Sequence, residues 1–254
     1  MSPVELHQAP LLRFWTQHGL LKLKPPEQDL GGRLASWLDV RQAIQLHQQL
    51  DAPITSSVRS DPVRFDLLQS DFDLMMASLK AAIEHDRFAA GLWRNPMPSQ
   101  VLVLPLIWDD LWEPYRRYMV DHQKQMALAL GRWRRQARHA LSRSGGALDA
   151  LARLDAVYDL AFAPKETRLL STLPIRMGQL LLRRVREHIP DFETASDADS
   201  HPLVTSPAWL AEYETQLRLS LLAELELRSQ PLLGLIERSE EHTSELQSRG
   251  LISY

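Results

Sequence analysis

The chain has 254 residues, a formal net charge of -3 and no cysteine. Its 29 basic and 32 acidic side chains give no whole-protein case for attraction to nucleic acid or to an anionic membrane. The missing thiol excludes disulfides, cysteine nucleophiles, iron–sulfur clusters and cysteine-based zinc sites.

The first residues, MSPVELHQAP, lack the basic region and apolar stretch of a secretory signal. No apolar run approaches the ~20 residues that a membrane helix needs. A soluble, cytoplasmic protein is expected, long enough to bury a sizeable core. The basic residues are overwhelmingly arginine, and leucine and alanine are common, which points to a GC-rich bacterial genome.

Taken in order, LLRFW at Leu11 to Trp15 is a short apolar segment ending near Gly19. A helix is expected over about Leu30 to Leu50, with Leu30, Leu34, Trp37, Leu38, Ile44 and Leu50 supplying its apolar contacts. Asp61 followed by Pro62 is a helix start, and Phe65, Leu68, Phe72, Met75 or Met76, Leu79 and Ile83 mark the buried face beyond it. GLWRNPMPSQ is a loop by its glycine and proline content. VLVLPLIW, interrupted by Pro105, is an extended connector packed under helices rather than a strand.

The clearest element runs from Asp110 to Leu141. Leu111, Tyr115, Tyr118, Met119, His122, Met126, Ala129, Trp133, Ala137 and Leu141 recur three or four residues apart. SRSGG ends it, with Gly145 or Gly146 suited to a left-handed cap. Ala147 to Phe162 is a second helix, and so short a link predicts an antiparallel helical hairpin. After Ala163-Pro164 a further helix is expected to about His188, kinked at Pro174. DFETASDADSHPLVTS is an acidic linker, expected to be mobile near 190–205. Ser206 and Pro207 open a last helix with Leu210, Tyr213, Leu217, Leu221 and Leu225 on one face, interrupted at Pro231. The fold class is therefore all-α, an irregular multi-helix bundle with a long antiparallel hairpin and no substantial sheet. Residues 1–237 form a single helical domain in this reading.

The end of the chain, RSEEHTSELQSRGLISY, differs in character from everything before it. Back-translated, Arg238 to Ser248 follow one unbroken frame through the common short-read sequencing adapter. Arg249, Gly250 and Leu251 fit a barcode-length spacer, and Ile252, Ser253 and Tyr254 resume the adapter. Residues 238–254 are thus expected to be a non-native tail, to be left out of fold reasoning, with the natural C-terminus missing. Without them the net charge moves from -3 to -2, because two arginines and three glutamates leave.

Three groups could carry chemistry. Arg132, Arg134, Arg135, Arg138 and Arg143 could meet phosphates while Trp133 stacks on a base. The plainer reading is a set of cations favoured by the helix C-terminus, with Trp133 in the core. Asp197, Asp199 and His201 could hold a divalent cation but lack the glycine and terminal glutamate of a calcium loop. Asp109 and Glu113 lie one turn apart with His122 further along, yet no Glu-x-x-His occurs before residue 238, so ferritin-like metal chemistry has no support. With no Gly-x-Ser-x-Gly elbow either, no catalytic residue, metal ligand or cofactor site is assigned.

GGRLASWLDVRQAIQL, PYRRYMVDHQKQM, ARLDAVYDLAFAPKETRLLSTLP and LLAELELRSQPLLGLIE, in that order, resemble a proteobacterial family, the domain-of-unknown-function family 3348. The likeness spans about Leu11 to Glu237 and rests on helix-face patterns rather than on chemistry. It places LLAELELRSQPLLGLIE close to the family's C-terminus, and it implies no catalytic residue. Genes of the family often neighbour those of an OmpA-like envelope protein and a further membrane protein. The resemblance so implies a non-enzymatic accessory or adaptor, with an envelope complex as its setting. The alternative is a nucleic-acid-associated protein using residues 132–143.

Overall fold

The computed structural model describes residues 10–17, 40–51, 64–88, 91–92, 96–98, 102, 106–189 and 207–250. Within these the chain is all-α. Its helices are α1 (Pro10–Gln17), α2 (Val40–Leu50), α3 (Phe65–His85), α4 (Trp108–Ser144), α5 (Gly146–Leu170), α6 (Leu173–His188) and α7 (Ala208–Gly250). Two-residue strands, β1 (Arg87–Phe88) and β2 (Gly91–Leu92), make a minimal antiparallel ladder, of which β2 falls at the start of the stretch expected to be loop.

The long hairpin is present. α4 and α5 meet at Gly145 and Gly146, whose φ values of 69° and 56° are open to glycine at little steric cost. Arg134 faces Asp155, and Gln123 reaches the carbonyl of Leu170, so one helix ascends as the other descends. The stripe read from the α4 sequence is the buried one. Leu111, Tyr115, Tyr118, Met119, His122, Met126, Trp133, Ala137 and Leu141 are all buried, and Ala129 packs at the edge. α7 runs beneath α3, α4 and α5, with Leu210, Tyr213, Leu217, Leu221 and Leu225 wholly inside. Leu102 and Leu106 are buried, as a connector packed under helices requires.

Four expectations need correction. α5 does not stop at Pro164: it continues to Leu170 and breaks at Ser171–Thr172. Pro164 is exposed beside the exposed Leu160, so the carbonyl it leaves without a partner lies where water can bond it. The hydroxyls of Ser171 and Thr172 then close the helix end by donating to the carbonyls of Arg168 and Leu169 at 2.8 and 2.7 Å. Pro174 consequently falls in the first turn of α6, where its missing N–H costs nothing, instead of kinking a longer helix.

Pro231 likewise fails to interrupt α7, which runs through it to Gly250. The flanking Leu225, Leu232, Leu235 and Ile236 are buried, and that packing outweighs a proline penalty of about 3 kcal/mol. On α2, Ile44 and Leu50 are exposed rather than packed; the half-buried Leu46 lies on another side of this glutamine-rich helix. Leu30, Leu34, Trp37, Leu38, Asp61, Pro62 and the 190–205 linker lie outside the described residues. α3 is described from Phe65, with Arg64 at its N-cap position.

Candidate functional site

The arginine run of α4 divides between two faces. Arg134 is buried, and its Nε and NH2 donate to Asp155 at 2.9 and 2.7 Å while NH1 donates to Asp159 at 2.7 Å. Arg138 bridges the same two carboxylates at 3.3 and 3.0 Å. These four side chains form a two-against-two cluster across the α4–α5 hairpin. Charge-assisted, bidentate contacts of this kind fix geometry strongly. Arg134 and Arg138 are thus both engaged by Asp155 and Asp159. Arg132, Arg135 and Arg143 are exposed, and Trp133 is buried edge-on against Phe72 at 5.1 Å, not open to a base.

A second polar cluster lies on the same seam. Arg228 of α7 donates through Nε to Glu224 at 2.8 Å, and its NH1 stands 3.6 Å from Glu166 of α5. Gln123 of α4 donates to the other oxygen of Glu224 at 2.9 Å and also to the Leu170 carbonyl at 3.0 Å. Burial pushes both glutamates above the ordinary carboxylate range, against the pull of Arg228. At the far end of α3, Arg218 of α7 donates to the carbonyls of Ile83 and Glu84 at 2.7 and 2.6 Å and to Asp86 at 2.9 Å.

The metal candidates within the described residues, Asp109, Glu113 and His122, do not assemble. Glu113 is held by Arg116 and Arg117 at 2.6 and 2.8 Å, which keep its carboxyl down at about 2. His122 is buried against Tyr118, ring centroids 4.4 Å apart, and burial lowers it to about 4. Asp109 is exposed. Among the described residues no three His, Asp or Glu side chains gather at metal-binding distance. Asp197, Asp199 and His201 lie outside those residues.

α5 and α7 leave a cleft of about 210 Å³ between them, lined mostly by Leu151, Leu154, Tyr158, Pro231, Gly234 and Leu235. Asp155 and Arg238 stand at its edge. A Cβ added at Gly234 would meet nothing within 4 Å, so the cleft has room for a side chain there. Sequence periodicity did not single out this cleft, because Tyr158 and Gly234 break the apolar pattern rather than extend it. The two charged clusters did leave a signal. Asp155 and Glu224 are acids set among the leucines of their helices, and such residues stay charged inside only where a cation meets them.

An all-α bundle with ion-pair clusters buried between its helices is thus the class of protein the fold defines. The model of the family described as "Protein of unknown function (DUF3348)" matches residues 4–240. The chain belongs to that family. No curated protein and no solved structure matches it. No helix among the described residues is long and apolar enough to cross a membrane.

Proposed function

We propose that the chain is a non-enzymatic adaptor or accessory that binds another protein through its helix surfaces. The observation that carries this reading is the apolar α5–α7 cleft, open to solvent and walled by two rigid helices. A small apolar cleft of this kind suits a single aromatic or aliphatic anchor from a partner, the usual centre of a protein interface. The exposed Leu160 and the half-stacked Tyr158–Phe162 pair extend apolar surface along the same helix, ring centroids 4.5 Å apart. The family's gene neighbourhood favours an envelope-associated client.

The full chain serves as bait, compared with Gly234→Gln, which adds bulk at a lining position where a Cβ would stand in open space. Specific proteins recovered with nuclease present, and lost with the Gly234 variant, support the proposal. Recovery indifferent to Gly234→Gln would overturn the cleft as the contact. A second reading, association with nucleic acid, is favoured by the solvent-facing Arg132, Arg135 and Arg143. It requires binding that collapses with nuclease and with salt, by a slope of about 0.9 per phosphate neutralised, and that falls when Arg132 and Arg135 become glutamate.

A further inference from the structure

Arg134 and Arg138 meet two aspartates, but further along the seam one cation meets two carboxylates. Arg228 sits 2.8 Å from Glu224 and 3.6 Å from Glu166. The exposures of these side chains are 10% for Arg228, 0% for Glu224 and 33% for Glu166. Arg134, the further cation that acts on Glu166, is already bound by Asp155 and Asp159. Gln123 is neutral and shares one amide between Glu224 and the Leu170 carbonyl.

We infer that Glu166 and Glu224 share one proton as well as Arg228, and that this junction is a proton-held latch between α5 and α7. Two ionised carboxylates on one guanidinium, in a seam largely closed to water, would leave a net negative charge there. The proton removes that charge, and it belongs to the pair rather than to either residue. Burial raises both glutamates, in keeping with this arrangement.

The groups facing the pair come from every helix at the junction. α4 supplies Gln123 and Arg134, and α5 supplies Asp159 beside Glu166. α3 and α6 meet α7 earlier, through Asp86–Arg218 and Arg184–Glu212. The charged side chains of α1 and α2, Arg13, Arg41 and His47, are exposed. Because the folded pair holds its proton at a higher pH than the unfolded chain does, the folded state binds more protons above the ordinary glutamate value of about 4.3. Stability from the latch is therefore full in acid and lost as pH rises through the raised range.

The latch lies at one end of the α5–α7 cleft, since Arg228 precedes Pro231 by one turn and Glu166 follows Tyr158 by two. It does not depend on the cleft binding a partner.

Hydrogen exchange of amides in 163–170 and 224–232, on the full chain, tests the latch from about pH 4.5, just above the ordinary glutamate value, to about pH 9. Wild type and variants are compared at each pH, so that histidine titration common to them cancels. After correction for intrinsic exchange, seam opening in the wild type should grow with pH by up to about tenfold per unit, the limit for one linked proton. In Glu166→Gln, which keeps the shape and removes the surplus charge, opening should be flat with pH. Glu224→Gln should flatten it in the same way and serves if the first variant is poorly folded. A wild-type profile already flat, or one unchanged in both variants, would overturn the latch. A purely structural role for these residues would shift overall protection without altering its pH dependence.

Discussion

Arg134 of α4 and Asp155 of α5, 21 positions apart, are joined by two guanidinium nitrogens on one carboxylate, with both side chains about nine-tenths buried. This pair fixes the register of the hairpin, because the same guanidinium also reaches Asp159 one turn further on. Removing Arg134 leaves Asp155 and Asp159 with Arg138 as their shared cation, at 3.3 and 3.0 Å.

Arg134→Ala should accordingly destabilise the fold by roughly 1–3 kcal/mol, because Arg138 still meets both aspartates and only part of the buried charge goes unpaired. Arg134→Met combined with Asp155→Leu should recover most of that loss, since an apolar pair carries no desolvation penalty. Urea unfolding midpoints with matched slopes measure both. A single variant costing under about 1 kcal/mol would mean that the pair is solvated in solution.

Arg218 closes α3 from outside that helix. Its guanidinium meets the last carbonyls of α3 and the side chain of Asp86, a residue in the left-handed conformation at φ 51°. A cation at this end also complements the helix dipole. Arg218→Ala should cost about 1.5–3 kcal/mol, in the range of hydrogen bonds to charged groups. Asp86→Asn should be milder than Asp86→Ala, because asparagine tolerates the left-handed region and alanine does not. Thermal unfolding of the three variants ranks them, and an equal loss in Asp86→Asn and Asp86→Ala would remove the backbone part of the argument.

The sequence made the hairpin and the α7 core legible because apolar spacing reports directly which face of a helix is buried. Leu210, Tyr213, Leu217, Leu221 and Leu225 could be read off one by one. The helix ends were less legible. Pro164 and Pro231 look like breaks, yet an exposed position for one and strong packing around the other let the helices pass through. What a proline costs depends on where its orphaned carbonyl points, and that is set by tertiary contacts. The arginine run was visible as a run, but not its division into inward and outward faces. That division follows from Asp155 and Asp159, which lie on the other arm of the hairpin. The α5–α7 cleft was not legible at all, since it arises from two helices that lie far apart in sequence.

Gly178 marks the closest approach of α6 to α4. A Cβ built there would lie 2.9 Å from Cε2 of Trp112, inside ordinary contact, and the indole is a rigid ring stacked on Trp108 at 6.2 Å. Gly178→Ala should therefore destabilise by about 1–3 kcal/mol through overpacking, although alanine is the better helix former. Trp112→Leu should relieve the clash, so that the double variant loses less than the sum of the singles. A double-mutant cycle from denaturant unfolding measures this coupling. Additive losses would show that the two side chains do not meet.

His122 gives the opposite pH dependence to the glutamate latch. Burial against Tyr118 holds its imidazole at about 4 in the folded chain, while the unfolded chain takes up a proton near the ordinary 6.5. Between these values the unfolded state binds more protons. Stability from this group is therefore complete above about pH 6.5 and is lost as pH falls toward 4, by up to roughly 3 kcal/mol. Glu113, held down at about 2 by Arg116 and Arg117, also loses its contribution in acid, at lower pH and on the surface. His122→Phe keeps a flat apolar ring beside Tyr118 and removes the titration. The difference in unfolding free energy between wild type and variant, followed from about pH 7 to about pH 4.5, should narrow or reverse in favour of phenylalanine as pH falls. A constant difference across that range would mean that His122 takes up its proton as readily in the fold as in the unfolded chain, with Asp86 and Asp121 offsetting its burial.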